Sequence, residues 1–270
     1  MKVAVTGAAG HVGGNLVREL LGRGHQVRAI VRTDTRAVDG LDVERVTADV
    51  LDADHLRLAL AGVDLVFHLA VKISIEGDPD GMVHRTNVIG TRHVVEACLA
   101  SHVKRLVHFS SIHALVNEPY DTPMDETRPL ADEGKAFAYD LSKAGSEREV
   151  QAGIKRGLDA VVVNPASILG PCDFKPSRMG QVLLDLYFRR LPALVNGGFD
   201  WVDVRDVVDG AIAAAEKGRT GERYLLGVST ARFPSSRESA PRSPGCARRS
   251  CPHRCGSPGS ARRSRWRGLA

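Results

Sequence analysis

Tyr139-Asp140-Leu141-Ser142-Lys143 carries a spacing suited to chemistry. Residues i and i+4 share one face of a helix, so a phenol and an ammonium would lie side by side. A nearby ammonium lowers a phenol's pKa from about 10 and makes it a better proton donor and acceptor near neutrality. Lys143 could also hold a ribose. Ser110-Ser111 closes the apolar run Arg105–Ser110. A hydroxyl there, Ser111 first with Ser110 in support, could donate to a carbonyl oxygen. Proton transfer to a polarised carbonyl is the chemistry that Ser111, Tyr139 and Lys143 suit together.

A second cluster stands near the N-terminus, in Thr6-Gly7-Ala8-Ala9-Gly10-His11-Val12-Gly13. It lies between a strand-like Val3–Thr6 and an apolar-periodic segment that reads as a helix. Gly7 permits a tight turn, Gly10 lets backbone approach a pyrophosphate, and Gly13 lets the helix pack closely. The helix then offers the N–H groups of residues such as His11 and Val12 to phosphates. At the end of the second strand Val31 stands where an NAD site carries an acid, and Arg32 follows it. A cation suits the extra phosphate of NADP, which makes NADP the expected cofactor and NAD the less favoured one. Arg36 adds to that site, with Asp34 close by. Asp49 and Val50 follow the third strand, where a carboxylate can accept from an adenine amino group. Leu69 and Ala70, after His68, end the fourth strand, where backbone would line the cofactor channel. Asn87 would bind backbone near the active site or make a structural hydrogen bond. His113 would face a substrate or serve structure; His84, His93 and His108 show no partner pattern.

These residues need a frame, and alternating strand and helix signals supply one. Strands are expected at Val3–Thr6, Val27–Val31, Val43–Thr47, Asp64–Leu69, Arg105–Ser110 and Leu158–Asn164. Helices are expected after Val12, from Asp52 through Leu60, over Met82–Ala100 and over Tyr139–Lys155. Such alternation implies crossover connections and a parallel sheet covered on both faces, in the doubly wound order 3-2-1-4-5-6. Further helices are read near Arg178–Arg190 and Val204–Lys217, and a strand over Glu222–Leu226. The division is a cofactor-binding domain over 1–165, a partial substrate-binding region over 166–226, and an Arg/Ser/Pro-rich tail over 227–270 read as disordered.

The net charge of +5 conceals two parts. The tail holds ten Arg, no Lys and the single acid Glu238; its +9 against the whole-chain +5 leaves −4 for residues 1–226. A mildly acidic body gives no reason to expect a nucleic-acid partner. No apolar run reaches the roughly 18 residues of a membrane span, and no signal peptide is read, so a cytoplasmic location is expected. Cys98 and Cys172 are read as free thiols. Cys246, Cys251, His253 and Cys255 crowd into the tail without a trusted finger spacing, so no metal is expected. The tail's composition matches what a shifted reading frame in GC-rich DNA would produce.

Taken together, the motifs resemble the extended branch of the short-chain dehydrogenase/reductase superfamily, the NAD(P)-dependent epimerase/dehydratase group, and within it the dihydroflavonol 4-reductase-like enzymes. The likeness rests on the glycine turn, Val27–Arg32, Asp49, His68-Leu69-Ala70, Asn87–Thr91, Ser110-Ser111, Tyr139 with Lys143, and Asn164-Pro165. Phe199–Val207 is similar to a family segment that helps close the substrate pocket. The resemblance implies a Rossmann-type α/β fold, catalysis by Ser111, Tyr139 and Lys143, and a cofactor site that also takes in Pro165. It implies NADP-dependent reduction of a ketone or aldehyde: Tyr139 donates the proton, Ser111 polarises the oxygen, and Lys143 tunes Tyr139. The partner is a small carbonyl substrate, with a homodimer as the further expectation. Two alternatives stand beside it: a nucleotide-sugar epimerase or dehydratase with tightly held NAD, and a cofactor-binding protein without turnover.

Overall fold

A computed structural model describes residues 1–119, 121–132, 136–191, 198–227 and 229–232. The strands that build the frame are β1 (Lys2–Thr6), β2 (Gln26–Val31), β3 (Glu44–Thr47), β4 (Leu65–His68), β5 (Arg105–Phe109), β6 (Ala160–Pro165) and β9 (Arg223–Leu226). They form one parallel sheet in the order β3-β2-β1-β4-β5-β6-β9. Strands β4 and β6 are buried along their whole length, which explains the apolar runs Leu65–Phe67 and Ala160–Val163. Side chains alternate across the sheet: Val3 and Val5 enter one core and Ala4 the other.

Helices cover both faces. α1 (His11–Gly22) and α7 (Val204–Lys217) pack on one side. Leu16, Val17 and Leu20 of α1 and Val207, Val208, Ala211 and Ile212 of α7 bury at helical spacing. α2 (Ala53–Leu60), α4 (Gly90–Ala100) and α5 (Ala138–Ile154) cover the other side. Asp52 caps α2 by accepting from the His55 N–H at 3.0 Å. The helix read over Met82–Ala100 is not uniform. It starts as α3 (Met82–His84), widens into a π turn over Arg85–Ile89 and continues as α4. A periodicity argument cannot see one extra residue in a turn; the side-chain bonds of Asn87 given below accompany it.

Past β6 the chain builds a second, three-stranded sheet from β7 (Ser167–Leu169), β8 (Gly198–Asp203) and β10 (Ser229–Arg232). α6 (Arg178–Tyr187) lies between β7 and β8 in sequence and has no buried residue. β10 corrects the tail reading at its start. Residues 229–232 pair antiparallel with 198–201, because backbone hydrogen bonding to a strand edge needs no apolar side chains. The rest of the tail, including Cys246, Cys251, His253 and Cys255, lies outside the described residues. Among the described residues no helix is long and apolar enough to cross a membrane, and no cluster of three or more metal-type ligands occurs.

Candidate active site

The glycine turn joins β1 to α1 at the C-terminal edge of the sheet. Gly7 has φ of +69°, and a Cβ there would stand 2.8 Å from the Ala70 nitrogen and the Leu69 carbonyl carbon. The turn therefore presses on the end of β4. A Cβ at Gly13 would fall 2.2 Å from the Gly7 oxygen and 2.9 Å from the Ala8 Cα. Gly13 is thus required by the turn itself, rather than by helix-to-sheet packing; Gly14 meets Ala37 instead. At Gly10 a Cβ would meet only the Gly7 oxygen, at 3.3 Å, leaving its outer side open. Gly10 caps α1 without a side-chain hydrogen bond, so first-turn N–H groups around His11, Val12 and Gly13 point outward. A tight turn that Gly7 and Gly13 make possible, open at Gly10 and lined by free donors at a helix start, fits a dinucleotide pyrophosphate.

Thr6 ties this turn to β4. Its hydroxyl oxygen accepts from the N–H groups of Leu69 and Ala70 at 3.2 and 3.3 Å and lies 2.7 Å from His68 Nδ1. His68 Nε2 lies 3.0 Å from the Thr91 hydroxyl, which donates to the Asn87 carbonyl at 2.6 Å. A neutral ring protonated on Nε2 satisfies every partner, with Thr6 donating to Nδ1. Burial and the nearby Lys143 charge push the His68 pKa down to about 3, in agreement.

The adenosine end is more open. Arg32 is exposed and reaches Asp49, with Nη1 at 3.5 Å from Oδ2, so the residues after β2 and β3 stand together. Asp49 also accepts from the Leu51 N–H at 2.9 Å. Val31 and Val50 are buried beside them. Arg36 grips Asp34 through two side-chain bonds of 3.0 and 2.7 Å, which holds the Asp34 carboxyl down at about 2. The carboxylate nearest Arg32 in sequence is therefore already matched by a cation. The His11 ring is engaged elsewhere, with Nε2 at 3.1 Å from the Pro171 carbonyl.

Tyr139, Lys143 and Ser111 meet where β5 ends and α5 begins. The Ser111 hydroxyl stands beside the half-buried Tyr139 phenol and draws its pKa down. It also accepts from the His113 N–H at 3.2 Å, which fixes the short turn over Ile112–Ala114. Lys143 is 3% exposed and donates to the Phe109 carbonyl at 2.7 Å. Here the sequence expectation needs correction. Burial pushes the Tyr139 pKa up to about 12, against the pull of the nearby Ser111 hydroxyl, and Lys143 is not among the causes. The same burial pushes Lys143 down to about 8, with Glu147 opposing. Both groups are desolvated, and the ammonium is turned onto a backbone carbonyl.

Asn87 binds backbone beside the site, as its residue type suggested, and its amide faces Lys72 and Ser142. Its oxygen accepts from the Lys72 N–H at 2.8 Å; its nitrogen donates to the Lys72 carbonyl at 2.9 Å and to the Ser142 hydroxyl at 2.8 Å. Every amide group is engaged inside the protein, so Asn87 fastens the segment after β4 to α5 beside Lys143. Ser110 is buried with its hydroxyl unpartnered, and Pro165 ends β6 inside the core edge. Sequence reasoning gave no role to the side chains of His68, Thr91, Ser146 and Glu147. His68 and His108 are register partners on β4 and β5, with rings 5.3 Å apart; His108 Nε2 lies 3.0 Å from the Ser146 hydroxyl.

With this geometry in view, the family comparison becomes decisive: the profile of the NAD dependent epimerase/dehydratase family matches residues 3–227. The chain belongs to that family. It is similar to sterol demethylase protein B of Methylococcus capsulatus, 42% identical over 228 residues, covering 84% of this chain and 69% of that protein. It is 37% identical over 229 residues to a dihydroflavonol 4-reductase-like protein of Synechocystis, covering 83% and 66%. The crystal structure of gox2253 superposes with a TM-score of 0.80 at 35% identity, covering 86% of this chain and 71% of that one. Reductases and epimerases both stand among the relatives. The family binds a nicotinamide dinucleotide, and the chain is an NAD(P)-dependent oxidoreductase of the extended short-chain type.

Proposed function

We propose that this family member reduces a ketone or aldehyde with NADPH, using Ser111, Tyr139 and Lys143. The observation that carries the reading is that the Ser111 hydroxyl, the Tyr139 phenol and the buried Lys143 ammonium gather at the sheet edge that also carries the glycine turn. When bound, the reduced cofactor supplies the hydride. Ser111 then orients the carbonyl oxygen, and Tyr139 delivers a proton to it as charge develops there. Lys143 holds positive charge beneath them and contacts the ribose. Gly7, Gly10, His11, Val12 and Gly13 hold the pyrophosphate on the turn that Thr6 braces from within; Asp49, Val50, Leu69, Ala70, Ser110 and Pro165 line the rest. Preference for NADP rests on Arg32, exposed at the end of β2, and on the pairing of Asp34 with Arg36. The name of the Synechocystis relative favours reduction over epimerisation. The test is NADPH oxidation against a panel of ketones and aldehydes, with dissociation constants for NADPH and NADH. Tighter NADH, or epimerase turnover without carbonyl reduction, overturns the proposal.

A further inference from the structure

Behind the proposed catalytic residues lies a charged cluster that the reaction above does not use. Glu147 is 1% exposed, and it sits one helical turn beyond Lys143 and two beyond Tyr139 on the same face of α5. A buried carboxylate is costly unless paired and hydrogen-bonded. Glu147 has two partners from two strands. Its Oε1 accepts from Asn164 of β6 at 2.7 Å, and its Oε2 lies 3.2 Å from Arg223 Nη2 of β9. The Asn164 nitrogen is shared, for it also donates to the Ser111 carbonyl at 2.9 Å. Arg223 in turn donates to the Arg128 carbonyl at 2.9 Å, which seats the cluster against the segment after β5.

We propose that Glu147 is a positioning residue: its carboxylate is the buried counter-charge of the Lys143 ammonium, and through Asn164 it anchors the backbone of Ser111. Two alternatives are weaker. A purely structural ion pair with Arg223 leaves unexplained why the carboxylate lies one turn from a second buried cation. A surface role is excluded by its burial.

The other charged and titratable groups around Lys143 sharpen the assignment. His68 from β4 and His108 from β5 face it, and both are held neutral by burial. Tyr139 and Asp140 stand on its own helix, with Asp140 3.3 Å from His113. Arg223 from β9 lies beyond Glu147 and competes for it. Glu147 is the buried acid within this set that opposes the desolvation of Lys143. Removing its charge should therefore ease deprotonation of Lys143, whereas removing Arg223 should free Glu147 for Lys143 and hinder it. These opposite signs separate a counter-charge from general damage.

The proposal rests on the assigned roles of Ser111 and Lys143, yet its test needs no turnover. The full chain is unfolded in urea from pH 6 to 11, beside a Lys143→Met version of each protein, and the stability difference is plotted against pH. Lys143 titrates at about 8 when folded and at about 10.4 when unfolded. Between those values the unfolded state holds the extra proton, so the difference must climb as pH rises through that window. In Glu147→Gln, which keeps the Asn164 bond, the climb should begin about one pH unit or more lower. In Arg223→Met it should begin higher. Should Glu147→Gln yield too little folded protein, Glu147→Gln/Arg223→Met must begin its climb below Arg223→Met alone. An unmoved onset in Glu147→Gln, or a shift of the same sign in both single variants, overturns the proposal. A chain that shows these shifts but oxidises no NADPH contradicts the reductase reading alone.

Discussion

Two glycines in one helix should respond to alanine with opposite signs. Gly13 and Gly22 both belong to α1, where alanine is intrinsically favoured by about 0.8–1.0 kcal/mol per residue. At Gly22 a Cβ meets nothing within 4 Å, so Gly22→Ala should gain most of that. At Gly13 the Cβ would lie 2.2 Å from the Gly7 oxygen, 2.9 Å from the Ala8 Cα and 3.0 Å from the Gly7 carbon. All three are backbone atoms, and the Gly7 oxygen already accepts from the Gly10 N–H at 2.9 Å, so the turn cannot yield by rotating a side chain. Overpacking of this kind costs roughly 1–3 kcal/mol, which outweighs the propensity gain. The expected net is a loss of up to about 2 kcal/mol for Gly13→Ala, or a few degrees in Tm for a domain of this size. Urea denaturation of both variants reads the stability, and NADPH titration reads the turn. Gly13→Ala should also weaken the cofactor, because the donors of the turn move. If Gly13→Ala is as stable as Gly22→Ala and binds NADPH like the parent, the steric account of the turn is wrong.

Three further outcomes follow from the site. Arg32→Ala should weaken NADPH by roughly 1–3 kcal/mol and leave NADH almost unchanged, measured as paired dissociation constants; equal losses would remove Arg32 from the phosphate site. Stability should fall as pH drops from about 6.5 toward 3, because His68, with a folded pKa of about 3, stays neutral inside while the unfolded chain takes up the proton. His108 acts in the same direction. The slope is about 1.4 kcal/mol per pH unit for each histidine at most, and His68→Gln should flatten it in urea titrations. Asn87→Ala should destabilise the fold by about 1–3 kcal/mol through the stranded Lys72 and Ser142 groups, with NADPH affinity at a given folded fraction little changed; a selective loss of affinity would place Asn87 at the cofactor.

The sheet was legible because its signals are local. Buried parallel strands are short apolar runs, and the intervening helices repeat at 3.6 residues, so the expected order survives with β9 added at the edge. The π turn at Arg85–Ile89 was not legible, since one inserted residue leaves apolar spacing almost intact. β10 was missed because Ser229–Arg232 pairs through backbone, which composition does not report. Within the site, the glycine spacing and the Tyr139–Lys143 pair could be read as motifs. Their protonation could not: Lys143 lies so deep that burial decides its pKa, and burial is a property of the packed fold. His68 and His108 are forty residues apart in sequence and become neighbours only through strand register.

The central claim is that Tyr139 donates the proton in a carbonyl reduction, and Tyr139→Phe tests it most directly. The ring remains to pack against His113, whose ring lies 6.0 Å away, and only the hydroxyl beside Ser111 is removed. With a ketone that the parent reduces, the variant should bind NADPH with unchanged affinity while kcat falls by about 10²–10⁴-fold, the usual worth of a positioned general acid. A Tyr139→Phe protein that turns over within a factor of two of the parent would contradict the account.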